Sequence, residues 1–281
     1  LYSFDVHCGE GIEIHDYLHP EWTTMRMFLG GASPSASFVP EPRRPLSSFP
    51  VSGPSSRAID FSISSSRICR LGLLPLGWAR FCEGPARDLT DTLVDARSHP
   101  AFIRLRPLYD LIDRHADDFD LVAKKVESFL LGMDLSPVAA QEQILACQAA
   151  LRDPAVASVE ALVARVGVGR RSLERLCGRY FGFPPKMLLR RQRFLRSLAT
   201  YMLGPKSNWS KALDGQYYDQ AHFVRDFRRF MGMSPTEYAE TPHPILDRIM
   251  GQRMADHGVE PQTDLPTVLR YGGQSRTAVG I

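Results

Sequence analysis

The chain has 281 residues, 44% of them hydrophobic, and a formal net charge of +3. That length suits two domains, and that composition can fill their cores. No apolar run approaches the roughly 20 residues that a membrane-crossing helix needs. The five cysteines (Cys8, Cys69, Cys82, Cys147 and Cys177) are odd in number and contain no CxxC pair. This argues for reduced thiols and against a disulfide framework or a zinc site.

The small net charge hides an uneven distribution. Residues 1–152 carry 15 Lys and Arg against 19 Asp and Glu, residues 153–240 carry 15 against 8, and residues 241–281 carry 4 against 4. A basic third behind an acidic half is the pattern of a nucleic-acid module joined to something else. The opening residues, LYSFDVHCGEGIEIHD, lack the charged-then-apolar layout of a signal peptide, so a cytoplasmic location is expected. Leu1 in place of Met reads as an alternative start codon or a trimmed end.

Residues 1–150 read as an N-terminal domain, β-rich to about residue 87 and helical after it. Alternating pieces at 12–14, 25–29 and 58–63 suggest strands, and Arg67–Leu74 (RICRLGLL) is a better one. A small sheet or partial barrel is expected. The Ser/Pro-dense stretch 40–56 reads as loop, and Pro75, Gly77 and Gly84 mark a turn-rich segment. From about Asp88 the period turns helical, beginning with Leu89, Leu93 and Val94. It continues through 107–119, 121–131 and 137–151.

The basic region opens at Asp153. Ser158 is an N-cap candidate, and Val159, Leu162, Val163 and Val166 form one apolar stripe ended by Gly167. After a tight turn, a helix over 170–181 turns Leu173, Leu176, Cys177 and Tyr180 inward and Arg170, Arg171, Glu174, Arg175 and Arg179 outward. Helix, glycine turn and basic-fronted helix form a helix-turn-helix, whose second helix enters the major groove. Gly182 and Pro184-Pro185 then introduce a third helix to about Tyr201, with Met187, Leu188, Leu195 and Leu198 inward. Its arginines (190, 191, 193 and 196) are expected to be solvated or to touch phosphate. About 18 helical residues span roughly 27 Å, enough to hold two readers near the one-turn groove spacing of about 34 Å.

Fifty positions on, the pattern repeats. Leu173 aligns with Phe223, Arg175 with Arg225, Arg179 with Arg229, Tyr180 with Phe230, Gly182 with Gly232 and Pro185 with Pro235. A short scaffold helix over 210–215 is expected to follow a break at Gly204-Pro205. Asp219 then caps a second recognition helix over 220–231. Phe223, Phe227 and Phe230 face inward, and Gln220, Ala221, Val224, Arg225, Arg228 and Arg229 face outward. Residues 241–281 form a C-terminal extension with one modest helix, 245–254.

Tyr217–Tyr238 (YYDQAHFVRDFRRFMGMSPTEY) resembles the second helix-turn-helix signature of AraC/XylS-type transcription regulators. Ser172–Leu198 is similar to their first unit and linker helix, and the resemblance spans about 90 residues. Leu71–Asp91 is similar to a poorly characterised sensor domain of some members. The resemblance implies an α+β chain. Its N-terminal part is a small β-rich domain with following helices, and its C-terminal domain, 153–240, is all-α, with two helix-turn-helix units joined by a linker helix.

It implies a sequence-specific regulator of double-stranded DNA. Base edges fall to Arg171, Glu174 and Arg175 in the first helix and to Gln220, Ala221, Val224 and Arg225 in the second. Phosphates fall to Arg170, Arg179 and Arg228. A small-molecule effector and a homodimer are the further partners this leaves open, with RNA polymerase if the regulator is an activator. Two departures stand out. Gly169 replaces the family's frequent Ser N-cap, and Gln216 follows Gly215 where the family's glycine usually precedes the aromatic pair.

Other functions find less support. His15 and His19 are four apart, with His7 and Cys8 nearby, but on strand and loop that spacing gathers no ligand set, and no metal or cofactor is expected. No GxSxG elbow, Walker loop, GxGxxG or HExxH is present, so no catalytic residue is assigned and the chain is not read as an enzyme. The alternatives are a ligandless regulator whose N-terminal half is a dimerisation or protein-interaction scaffold and, further off, a catalytic domain fused to a DNA-binding module.

Overall fold

The computed structural model describes residues 1–29, 34–133, 136–203, 209 and 213–248. The expected break at Gly204-Pro205 and residues 210–212 of the expected scaffold helix 210–215 lie outside them, as does the helix 245–254 beyond residue 248; residues 213–215 are described and are not helical.

The N-terminal part is an antiparallel sandwich. One sheet runs in the order β1 (Tyr2–Val6), β8 (Ser66–Leu73), β3 (Thr23–Leu29), β6 (Pro50–Ser52), β9 (Leu93–Asp95). The other runs β2 (Ile14–Leu18), β7 (Ile59–Ile63), β4 (Ser35–Phe38), β5 (Arg44–Pro45). Successive side chains of a strand face opposite ways, and both faces of the first sheet are buried. From β3 and β8, Met25, Met27, Leu29, Cys69, Leu71 and Leu73 pack under helices, while Phe28 and Ile68 face the second sheet. The covering helices are α1 (Pro75–Phe81), α2 (Pro107–Asp113) and α3 (Phe119–Leu131), with 3-10 turns at Ala86–Leu89 and Pro100–Leu105. Trp78 and Phe102 meet edge to face at 5.9 Å in this layer.

Three local expectations give way here. Pro50–Ser52, taken for loop, is a strand hydrogen-bonded to both β3 and β9. Pro50 is its first residue, where a missing N–H costs least, and Val51 is fully buried. Pro75–Phe81 is a helix rather than turns, because Pro75 serves its first turn and Trp78 anchors its inner side. Leu93 and Val94 begin a strand, not a helix. The ladder partner Pro50–Ser52 lies more than 40 residues away, and no local period records it.

The C-terminal part is helical: α4 (Gln141–Arg152), α5 (Val159–Val166), α6 (Arg170–Leu176), α7 (Pro185–Leu203), α8 (Gln220–Met231) and α9 (Pro235–Glu240). It has two cores. Leu162, Leu173, Cys177, Phe181 and Leu188 fill the first with Ile144 and Leu151 of α4. Phe194, Leu198, Phe223, Phe227, Phe230 and Tyr238 fill the second. Phe194 stacks on Phe230 at 4.8 Å and meets Phe227 edge to face at 5.4 Å.

Each core takes residues from the sandwich: Trp22 enters the first, and Val39 and Ala58 the second. The repeat-related glycines Gly182 and Gly232 both have left-handed φ, +86° and +73°, which a side chain disfavours. A Cβ on Gly182 would lie 2.9 Å from Pro54 and Thr90, and one on Gly232 2.9 Å from Val39. Both units therefore close their recognition helices with the same residue against the same domain.

Candidate nucleic-acid interface

The two units are built alike. Ser158 Oγ accepts from Ala161 N at 3.1 Å and starts α5; Gly167, φ +72°, ends it. The tight turn leads into α6, whose N-cap Gly169 offers no side-chain acceptor. The recognition helix keeps regular α geometry to Leu176 and continues as a π turn over Cys177–Phe181, so the expected 170–181 helix has a widened last turn. Phe181 there is fully buried, edge to face with Trp22 at 5.8 Å, while Tyr180, expected inward, is only half-buried. In the second unit Asp219 Oδ1 accepts from His222 N at 2.6 Å and starts α8, which Gly232 closes.

The outward set is outward. Arg170, Arg171, Glu174, Arg175 and Arg179 are exposed on the first helix, and Gln220, Ala221, Arg225 and Arg228 on the second; Val224 is half-buried. Arg170 bridges Glu160 (3.1 Å) and Glu174 (3.6 Å), Arg175 reaches Ser172 Oγ at 3.4 Å, and Arg179 leans over Tyr180. Such exposed pairs contribute little to stability, so these side chains are available at small cost. Arg171 and Arg225 have no ion-pair partner among the described residues. His222 is a packing residue, 3.0 Å from Arg193 and edge to face with Tyr217.

The arginines of α7 do something other than expected. Arg190 and Arg193 both bind Asp226, at 2.5 Å and 2.9 Å, and Tyr217 Oη donates to the same carboxylate at 3.1 Å. Asp226 is fully buried on the inner face of α8. Burial, with the Asp226 charge behind it, pushes the Tyr217 phenol well up and keeps it a donor. Arg196 pairs with Asp214 at 2.5 Å, and Asp214 organises the turn before α8 by accepting from Gln216 N at 2.9 Å. Gln216, the departure noted above, donates its side-chain amide to Pro154 O and so ties the second turn back to the start of the first unit. Arg191 is 1% exposed: its guanidinium lies 3.8 Å above Trp22 and donates to Ser55 O at 2.9 Å. These four arginines tie α7 to α8, to the turn before it and to the sandwich, and of them Arg190 stays the most exposed.

A family model described as "Helix-turn-helix domain" matches residues 162–241. That span begins in α5 and ends just after α9, so it takes in both recognition helices. Residues 162–241 are an AraC-type helix-turn-helix domain. No match to the chain is found among curated protein sequences. Among solved structures, apo ToxT from Vibrio cholerae is similar at 13% identity with a TM-score of 0.42, covering 85% of this chain and 96% of that one. Another ToxT structure gives 12% and 0.41, covering 85% and 97%. ToxT bound to an unsaturated fatty acid gives 13% and 0.38, covering 81% and 94%. Likeness at that level is one of outline.

Sequence reading missed the residues that hold the AraC-type domain on the sandwich: Glu21, Trp22, Ser55 and Ala58. Ala58 N donates to Phe230 O at 2.6 Å, which satisfies a carbonyl in the last turn of α8. Trp22 is the one residue among them whose size hinted at a docking role. His15 is on β2, and His19 is committed to Tyr238 Oη at 2.7 Å. Among the described residues no three His, Cys, Asp or Glu side chains gather as metal ligands, and no helix is long and apolar enough to cross a membrane.

Proposed function

We propose that this chain is a transcription regulator whose helices 170–181 and 220–231 read successive major grooves of double-stranded DNA. The observation that carries the reading is the duplication: two glycine-closed helices, related by 50 residues, each with a buried apolar back and an exposed polar front, with the single helix α7 between them. Arg171, Glu174 and Arg175, with Gln220, Ala221, Val224 and Arg225, are assigned to base edges. Arg170, Arg179 and Arg228 are assigned to phosphates. The first helix presents arginines where the second presents Gln220 and Ala221, so the first unit carries more of the sequence readout.

The division adopted is a control domain over 1–150, the reader over 153–240 and an extension from 241. An apolar cavity between the two sheets, lined by Phe4, Phe28, Ile59 and Phe61 with Arg26 and Arg70 at one side, supports control by a small apolar effector.

Arg175→Ala is expected to weaken binding to a selected duplex by about 1–3 kcal/mol and to relax preference at one base pair. Equal weakening on every sequence would reassign Arg175 to phosphate. Affinity is expected to fall linearly on a log–log plot against salt, and a flat response would contradict the whole reading.

A further inference from the structure

Residues 243–246 belong to neither helix-turn-helix unit, yet three of them are deeply buried: His243 is 7% exposed, Ile245 3% and Leu246 3%. Their anchor is Asp16 on β2, which has no exposed surface. One carboxylate oxygen meets His243 Nδ1 at 2.9 Å, and the other accepts the backbone N–H groups of Ile245 and Leu246 at 2.8 Å each. The sandwich thereby caps a helical turn, 244–248, that the C-terminal segment supplies. The same strand run grips α9, through His19 and Tyr238.

Consecutive side chains of this turn enter different cores. Leu246 joins the core that also holds Phe223 and Phe230 of the second helix-turn-helix unit, and Ile245 joins the core between the two sheets and lines the apolar cavity. One turn of chain thus supplies part of the cavity wall and joins the core of the second unit to the sandwich.

We propose that residues 243–246 are a latch on the second reading unit, and that an apolar ligand filling the cavity opens it by taking the volume held by Ile245. The second half rests on the effector reading above; the first does not. A ligand larger than the space beside Ile245 has to displace a lining side chain, and Ile245 is the one this turn carries, so binding of such a ligand and latching exclude each other. Opening removes the Asp16 cap from Ile245 and Leu246 and frees α8 and α9 to reorient on DNA.

Hydrogen exchange on the full chain tests the latch without any DNA. Asp16→Asn and, separately, Ile245→Ala are expected to speed exchange of the amides of Ile245, Leu246 and Asp247 roughly tenfold, and to raise exchange in α9. The amides of Met25 and Met27 stay as slow as in the parent. Unchanged exchange at 245–247, or an equal rise through β3 and β8, overturns the latch. Adding 1-anilinonaphthalene-8-sulfonate to the parent chain is expected to produce the same local rise at 245–247. Binding of the dye without that rise overturns the coupling. Absence of dye binding contradicts the effector reading, while the two variants still decide the latch.

Discussion

Asp226→Ala is expected to lower the stability of the C-terminal part by about 3–5 kcal/mol, the cost of leaving buried charge without its partner. The carboxylate is fully buried and receives Arg190, Arg193 and Tyr217 together. Removing it strands two guanidinium groups between α7 and α8 and a phenol below them. Arg193 keeps a ring beneath it, 4.5 Å from Tyr217, but no counter-charge. Because Asp226 bonds on the inner face of α8 and Arg225 projects from the outer one, the same substitution should also blur the second half of the DNA site. Chemical denaturation followed by tryptophan fluorescence measures the first effect. A loss below about 1 kcal/mol would mean that α7 and α8 are held by their aromatic packing alone.

Glu21→Gln is the second large effect. Glu21 binds Arg26 at 2.5 Å and Arg70 at 2.8 Å, with Ser52 Oγ donating at 2.9 Å, in a cluster almost closed to solvent. Its backbone oxygen also accepts from Ser55 N at 2.9 Å and from the Arg191 guanidinium of α7. Neutralising the side chain leaves two buried guanidinium groups facing one amide, at a cost of about 3–5 kcal/mol. The loss should be felt on both sides of the boundary between sandwich and helices.

The same residue sets a pH dependence. Burial alone would raise its pKa, but the charges of Arg26 and Arg70 outweigh burial and bring it from 4.5 down to about 2. A carboxyl held low in the folded chain contributes stability that is complete above about 4.5 and is lost as pH falls toward 2. A tenfold change in proton affinity is worth about 1.4 kcal/mol, so the contribution is about 3 kcal/mol. Denaturation midpoints measured from pH 5 to pH 2 should decline steeply in the parent chain and much less in Glu21→Gln. Parallel declines would show that other carboxylates govern the acid limb.

The reading helices were legible because their determinants are local. Ser158, Gly167, Asp219 and Gly232 cap or close helices within a few residues of their own position, and the apolar stripes of α5 and α8 need only a period of 3.6. The duplication doubled that signal. The arginines of α7 were misjudged because an arginine on a helix reads as solvated until its partner is known. Here Asp226 is more than 30 residues away, on a helix whose angle to α7 no sequence period records. The strand Pro50–Ser52 was hidden for a similar reason: three residues have no period, and the ladder that makes them a strand comes from β3 and β9.

Glu21 and Asp16 were passed over because buried carboxylates look like surface ones in sequence. Only their partners, Arg70 on β8 and the 243–246 turn, distinguish them. The C-terminal extension is packed through Leu246 for that reason.

The central claim is that one chain reads DNA with two helices on one rod. Selection of binding sites from randomised duplexes, performed with the parent chain and with Arg175→Ala, tests it most directly. Two blocks of preferred sequence about 10 base pairs apart are expected, with Arg175→Ala erasing preference at one pair within one block and leaving the other intact. A single block, with no second one a helical turn away, would contradict it.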